Sequence, residues 1–271
     1  MEIYKIGLLT RCRDEFFIEE FCNHYLNEGI DQIYIIDDNS KDKSIYSNIK
    51  DKRVNVIYSK NILKTNLANR IYQEIKDNFK WMIYLDVDEF IFTKKRKNKT
   101  IREELETTFS SYDCIKVPWM FMSSGGKLYN PKSIKLENNT RWNHDKEHPH
   151  KINKFRCRKE QIEVKCIFKT DKFLNITDHF PINVENKKIP IVNSIDLKEE
   201  DLNSFYKNLN ERKIKNSYLI CAHYRIISQE NSINKLKNNQ FYTGKNYTLN
   251  DLNLSDHSEI IDNDLKNRTL N

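Results

Sequence analysis

The stretch WMIYLDVDEFIF, Trp81–Phe92, decides how this chain is read. Its first five residues, Trp81–Leu85, form a short apolar run, the pattern of a strand buried on both faces. The run ends in Asp86-Val87-Asp88. Two carboxylates two residues apart at a strand end can turn toward one point, and carboxylates that close repel unless a cation or a proton stands between them. A hard divalent cation takes one or two such carboxylates and completes its shell with phosphate oxygens and water.

Working outward, the same arrangement recurs. Ile3–Leu9 reads as a strand leading into the charged group Arg11–Glu15, Gln32–Ile36 as a strand ending in Asp37-Asp38, and Val54–Tyr58 as a third. Phe16, Phe17, Phe21, Cys22, Tyr25 and Leu26 share one helical face, with Gly29 placed as a helix stop, and Leu67, Ile71 and Ile75 mark a second helix. Strands alternating with helices predict βαβ units: an α/β domain with a mostly parallel central sheet flanked by helices. In such a sheet ligands bind beyond the carboxyl ends of the strands, so the charged groups at 11–15, 37–38 and 86–88 should share one edge. Further on, Ile101–Phe109 reads as helix and Cys114–Val117 as strand. Residues 122–160, with Gly125-Gly126 and several histidines, read as a long polar loop. Val164–Phe168 and Tyr218–Tyr224 read as strands, and Ser228–Asn238 as a helix capped by Ser228. One domain over residues 1–245 is expected, followed by a polar tail, 246–271, with one short helix.

Composition narrows the function. The 271 residues include only 5 Gly and 5 Pro, against typical usage of roughly 7% and 5%. Gly7, Gly29, Gly125, Gly126 and Gly244 fit neither GxGxxG nor GxxxxGK[ST]. A nucleotide bound here must have its phosphates held by another device. Lys+Arg 46 against Asp+Glu 39 leaves +7, which suits an anionic ligand and does not by itself call for nucleic acid. The 6 cysteines form no CxxC, so reduced thiols and a cytoplasmic setting are expected. No run of 18 apolar residues predicts a membrane span, and the opening MEIYKIGLLTRCRDE reads as strand and charges rather than a secretory signal.

Several segments together resemble a known family. IYIIDDNSKDKS (Ile33–Ser44) resembles the VDDGSTD segment of family 2-like, GT-A-type glycosyltransferases, and WMIYLDVDEFIF is similar to the LDvDEF metal motif of their family 92-like relatives. In order along the chain, TRCRDEFFIEEFCNHYLNEGID, VPWMFMSSGG, EVKCIFKT with Asp178-His179, and CAHYRIISQENSINK resemble further segments of that family. The resemblance implies a single GT-A (Rossmann-like) domain and a hexosyltransferase that uses Mn2+ or Mg2+ and a nucleotide-sugar donor, a UDP-sugar above all. A glycan or other hydroxyl compound would be the acceptor, with inversion at the anomeric carbon. Residue by residue, it implies Asp86 and Asp88 at the metal and diphosphate, with His223 as a third contact. It places Asp38 at the nucleoside, Thr10, Arg13 and Glu15 in the first nucleotide-contacting loop, and Arg225 and Lys235 at the diphosphate. The chain departs from the family in Arg13-Asp14-Glu15 for an Asn-Glu pair, Met122 for a glycine and Gly126 for a histidine, which affects nucleotide identity and acceptor pocket.

Sugar transfer needs the leaving diphosphate's charge stabilised and, with inversion, a carboxylate to take the acceptor's proton. Asp145 and Glu147 are the candidates for that base, at most one of them, with Asp178 in reserve. Gly125-Gly126 is expected to line the sugar pocket, where the backbone must approach closely. Other readings compete. A glycan- or nucleotide-binding module without catalysis would keep the same fold. His144, His148, His150 and Cys157 fit a zinc site only loosely, since no standard spacing appears. Trp119 and Phe121 read as core, with one of them free to face an acceptor. Lys94–Lys99 reads as a solvated turn, and Glu89 as either a backbone brace or a metal contact.

Overall fold

In the computed structural model, residues 5–58, 66–148, 157–158, 161–183, 189–238, 242 and 244–270 are described. Ile3, in the first expected strand, and His150, of the loose zinc set, lie outside them, as does the Cys157 side chain. The amino-terminal third is βαβ in character, with β1 (Ile6–Cys12), α1 (Ile18–Asn27), β2 (Gln32–Asp37), β3 (Val54–Tyr58), α2 (Asn66–Ile75) and β4 (Trp81–Asp86). The strands lie in the order β3-β2-β1-β4, all parallel. Register aligns Arg11 with Asp86 and Cys12 with Asp37, so the charged ends meet at one edge, as the apolar-run-then-acid pattern requires. α1 buries Phe21, Cys22, Tyr25 and Leu26. The chain leaves the helix through Gly29 at φ +90, where an added Cβ would meet the Arg102 Cβ at 2.7 Å.

The second part is antiparallel and mixed. It comprises β5 (Glu89–Thr93), α3 (Ile101–Glu106), β6 (Cys114–Ser123), α4 (Ile134–Glu137), β7 (Thr140–Arg141), β8 (Cys157–Arg158) and β9 (Gln161–Lys169). After these come β10 (Phe173–Ile176), β11 (Pro181–Asn183), β12 (Ile191–Asn193), β13 (Phe205–Tyr206), α5 (Glu211–Asn216), β14 (Leu219–His223) and α6 (Gln229–Asn238). α7 (Leu249–Asn253), β15 (Ile260–Ile261) and α8 (Asp264–Leu270) follow. β9 extends the sheet antiparallel to β4, and the first half of β6 pairs with β9 up to Pro118↔Val164. Beyond Pro118, which has no N–H to donate, β6 changes partner. Trp119, Met120 and Phe121 run parallel to Cys221, Ala222 and His223 of β14, which in turn pairs antiparallel with β5. β4 and β5 are likewise one apolar run broken at Val87-Asp88. One strand, β6, therefore passes from β9 to the β14–β5 pair, and the acidic turn sits where the chain leaves β4 for β5.

The structure differs from the sequence expectation in identifiable places. β5 is a strand of its own, and β6 continues six residues past Val117, buried throughout. The expected 122–160 loop contains α4 and β7. The Lys94–Lys99 run is not a solvated turn at its start: Lys94 is buried and pairs with Asp262 at 2.7 Å and Asp264 at 2.6 Å. Those partners come from residues 246–270, which hold two helices and a strand; β15 pairs with β7, and Leu252 and Leu265 are buried. Ser228 caps α6 as expected, its Oγ accepting from the Asn231 N–H at 3.0 Å. Cys12, Cys22, Cys114, Cys166 and Cys221 are free, buried thiols. Among the described residues, no helix is long and apolar enough to cross a membrane.

Candidate active site

A cleft of about 640 Å³ opens beyond the carboxyl ends of β1, β2 and β4, floored by the acidic turn and walled by α6 and the turn that joins β10 to β11. Each of its two central aspartates faces a buried lysine. Lys165, on β9 and 1% exposed, reaches Asp86 Oδ2 at 3.1 Å, Glu89 Oε2 at 3.2 Å and the Asp178 carbonyl at 2.6 Å. Lys235, on α6, reaches Asp88 Oδ2 at 2.8 Å and the Arg225 carbonyl at 3.2 Å. Glu89 is fully buried and its Oε2 accepts the Asp86 N–H at 2.8 Å, so it braces the turn. The Tyr224 N–H donates to the Asp88 carbonyl at 2.8 Å, fixing the same turn from the β14 side.

Electrostatics follows from these contacts. Burial works against ionisation of Asp88, but the Lys235 ammonium 2.8 Å away outweighs it and holds its carboxyl well below the usual range. Burial likewise opposes charge on Asp86, and Lys165 with Arg11 overcomes it. Burial dominates at Glu89 and pushes its carboxyl well up, with Asp86 and Asp88 adding to the rise against Lys165. Glu15, half-buried at the cleft wall, is pushed up to about 7 by burial, with Asp88 adding and Lys235 opposing. Burial also lowers His223, which Asp88 pulls partly back, favouring the neutral imidazole that metal ligation requires.

Among the described residues, no group of three or more His, Cys, Asp or Glu side chains stands at metal-ligating spacing. Two donors nevertheless fit a cation. His223 Nε2 lies 3.6 Å from Asp88 Oδ1, too far for a hydrogen bond. Neighbouring ligands of a small octahedral ion are separated by roughly 3 Å, as bond lengths near 2.1 Å imply. The Asp86 side chain is 45% exposed toward the cleft. A carboxylate oxygen and a neutral imidazole nitrogen are both donors to divalent metal ions.

Of the residues singled out in the sequence, Arg13, Glu15, Asp38, Asp86, Asp88, His223, Arg225 and Lys235 line this cleft, and Asp178 does as well. Asp37, beside Asp38, instead turns inward, accepting from the Tyr46 hydroxyl at 2.8 Å and the Ser40 N–H at 3.2 Å. Thr10 is fully buried within β1. Gly125 and Gly126 form a turn after β6, at φ +64 and +75, and neither lines the cleft. Asp145 and Glu147 are exposed and also lie outside the lining; Asp145 Oδ1 accepts the Glu211 N–H at 3.1 Å at the start of α5. His144 takes the Phe121 N–H, and His148 meets Glu259 at 2.8 Å. Trp119 lines the cleft with its ring 4.1 Å from that of His223, whereas Phe121 packs on Trp142. Sequence reasoning placed Arg11 in the charged group after β1 and His179 in a resembling segment without assigning either a role, and it missed Lys165. A lysine inside an apolar strand pattern, Val164-Lys165-Cys166, was the available signal for Lys165.

The chain matches the profile of glycosyltransferase family 92 over residues 20–266. No curated protein matches it. Among solved structures, it is similar at 12% identity and a TM-score of 0.39 to HddC from Yersinia pseudotuberculosis, with 70% of this chain and 89% of that one covered. It is similar at 12% identity and a TM-score of 0.41 to GalNAc-T7 with UDP, GalNAc and Mn2+, covering 87% of this chain and 48% of that one.

Proposed function

Because the chain belongs to glycosyltransferase family 92, we propose that it transfers a sugar from a UDP-sugar to a hydroxyl acceptor, with inversion and with a divalent cation bound. The observation that carries this reading is the acidic turn at the strand ends, Asp86 and Asp88, each ionised against a buried lysine inside the cleft. Asp86, Asp88 and His223 are the residues that would hold Mn2+ or Mg2+; when bound, the ion stabilises negative charge on the leaving diphosphate. The chain's own cations share that task. Arg13 and Arg225 line the same cleft and offer positive charge where the diphosphate charge develops, beside Lys235, which is seated on Asp88. Asp38 and Glu15 line the side reached from β1 and β2, where the nucleoside is assigned, with Thr10 behind them in β1.

For the acceptor's proton we assign Asp178. It is exposed within the cleft, and its backbone is fixed by Lys165, which hydrogen-bonds its carbonyl. Asp145 and Glu147 lie outside the cleft lining, so the base role passes to the third candidate. Calorimetry tests the assignment as a whole. Asp88→Asn should abolish Mn2+-dependent UDP-sugar binding while circular dichroism shows an intact fold. Unchanged binding would sink the metal and donor assignment.

A further inference from the structure

A second cavity, about 760 Å³, lies between α1, the Lys94–Thr100 loop after β5, α4 and α8. It shares no lining residue with the cleft; Glu15 faces the cleft and the next residue, Phe16, faces this cavity. Its distinguishing group is Lys135, 7% exposed, which makes no side-chain hydrogen bond or ion pair to any described residue. A buried ammonium without an acceptor is unfavourable, and here the nearby carboxylates are already engaged. Glu20 accepts from the Ser133 hydroxyl at 2.6 Å, the Ile134 N–H at 2.9 Å and the Lys135 N–H at 3.1 Å. Glu28 is held by Arg268, whose guanidinium also bonds Thr93 Oγ1 at 2.7 Å and the carbonyls of Lys97 at 2.7 Å and Lys99 at 2.9 Å. Burial accordingly lowers the Lys135 amine, with Glu20 and Glu28 pulling it partly back and Arg268 pushing it further down.

The rest of the lining includes Glu19, three side-chain amides and an exposed aromatic ring. Asn23 and Asn27 stand one turn apart on the exposed side of α1, and Asn98 faces them from the loop. None of the three amides is used by a described residue. Side-chain amides both donate and accept, which matches vicinal hydroxyls. The Phe16 ring, 37% exposed, offers an apolar platform at the mouth. Lys132 adds a second cation on the Lys135 side, and the Arg268 clamp holds the opposite wall in place before any ligand arrives.

We propose that this cavity binds an anionic saccharide, its phosphate or carboxylate against Lys135 and Lys132 and its hydroxyls against Asn23, Asn27 and Asn98. The site does not depend on the chemistry assigned to the cleft. The test is calorimetry on the full chain with UDP and Mn2+ at saturation, UDP binding being measured first and separately. Glucose 6-phosphate and glucuronate are the anionic probes; glucose and inorganic phosphate are the controls. At least one anionic sugar should bind one to one and tighter than either control, and which of them does so identifies the anion. Lys135→Met should weaken it about tenfold or more, the size of a lost charge-assisted hydrogen bond. If that variant does not fold, the surface pair Asn23→Ala/Asn27→Ala should weaken the sugar and leave inorganic phosphate unaffected. Absence of binding by both anionic sugars, equal affinity in the variants, or displacement by UDP would overturn the proposal. So would inorganic phosphate binding as tightly as the sugars.

Discussion

Replacing Lys165 by Met keeps the length of the side chain and removes its charge. Lys165 is 1% exposed, and its ammonium serves Asp86, Glu89 and the Asp178 carbonyl together. Breaking a buried ion pair from one side costs about 3–5 kcal/mol, because the partner charge stays behind. The lower end applies here, about 3 kcal/mol. Asp86 is 45% exposed and can be re-solvated, and Glu89, whose carboxyl burial already pushes well up, can stay protonated. Unfolding entropy near 2.1 cal/mol/K per residue over 271 residues turns that loss into a fall in Tm of about 5 °C. Urea denaturation gives the free energy and calorimetry the Tm. The double variant Lys165→Met/Glu89→Gln removes the buried acid with its counter-ion and should regain at least about 1 kcal/mol of the summed single losses. A single-variant loss under about 1 kcal/mol, or strict additivity in the double variant, would show that the lysine is not what holds the acidic turn.

Three further outcomes are expected. Asp178→Asn should lower kcat by about a hundredfold or more with little change in the donor KM, as loss of a general base does; a KM effect alone would remove Asp178 from that role. The Glu15 carboxyl, pushed up to about 7 by burial from about 4.5, binds its proton more tightly in the folded chain. Its stability contribution is therefore complete below pH 4.5 and lost as pH rises through about 7; Glu15→Gln should flatten that part of the stability–pH curve, and a variant that tracks wild type across the window would contradict it. Arg268→Ala strips Glu28 of its counter-ion and three acceptors of their donor, and should cost about 3 kcal/mol. Hydrogen exchange should quicken over residues 94–100 in particular; uniform exchange along the chain would argue against a local clamp.

The parallel half of the fold was legible because its strands are short apolar runs, two of which, β2 and β4, end directly in acids, a pattern that also locates the cleft. Asp38, Asp86 and Asp88 line one cleft at the strand ends, and α6 brings Lys235 to its wall. What stayed hidden has physical reasons. β5 follows β4 across a turn without Gly, Pro or Asn, so WMIYLDVDEFIF carries no punctuation to separate two strands. β6 contains Pro118, which reads as an ending but marks the point where hydrogen bonding passes from β9 to β14. Lys165 is masked because an isolated lysine in an apolar stretch has no periodicity of its own; only the pairing of β9 with β4 and β6 brings it to Asp86. Asp145 and Glu147 share a region with the expected acceptor side, but the side chain of Asp145 serves the start of α5.

The lysine–aspartate pairs give the cleft its own electrolyte. A lone dication would have to draw carboxylates away from ammonium groups already seated on them, and a lone diphosphate would meet ammonium groups whose charge is already answered. Under the proposed function, the two arriving together would each release the partner that the other requires: freed aspartates would turn to the cation, and a freed Lys235 to the phosphate. The consequence would be synergy in place of two independent affinities. Weak binding of either component alone would then be a means of selection, since under the proposed function the cleft would fill only when cation and diphosphate arrive together.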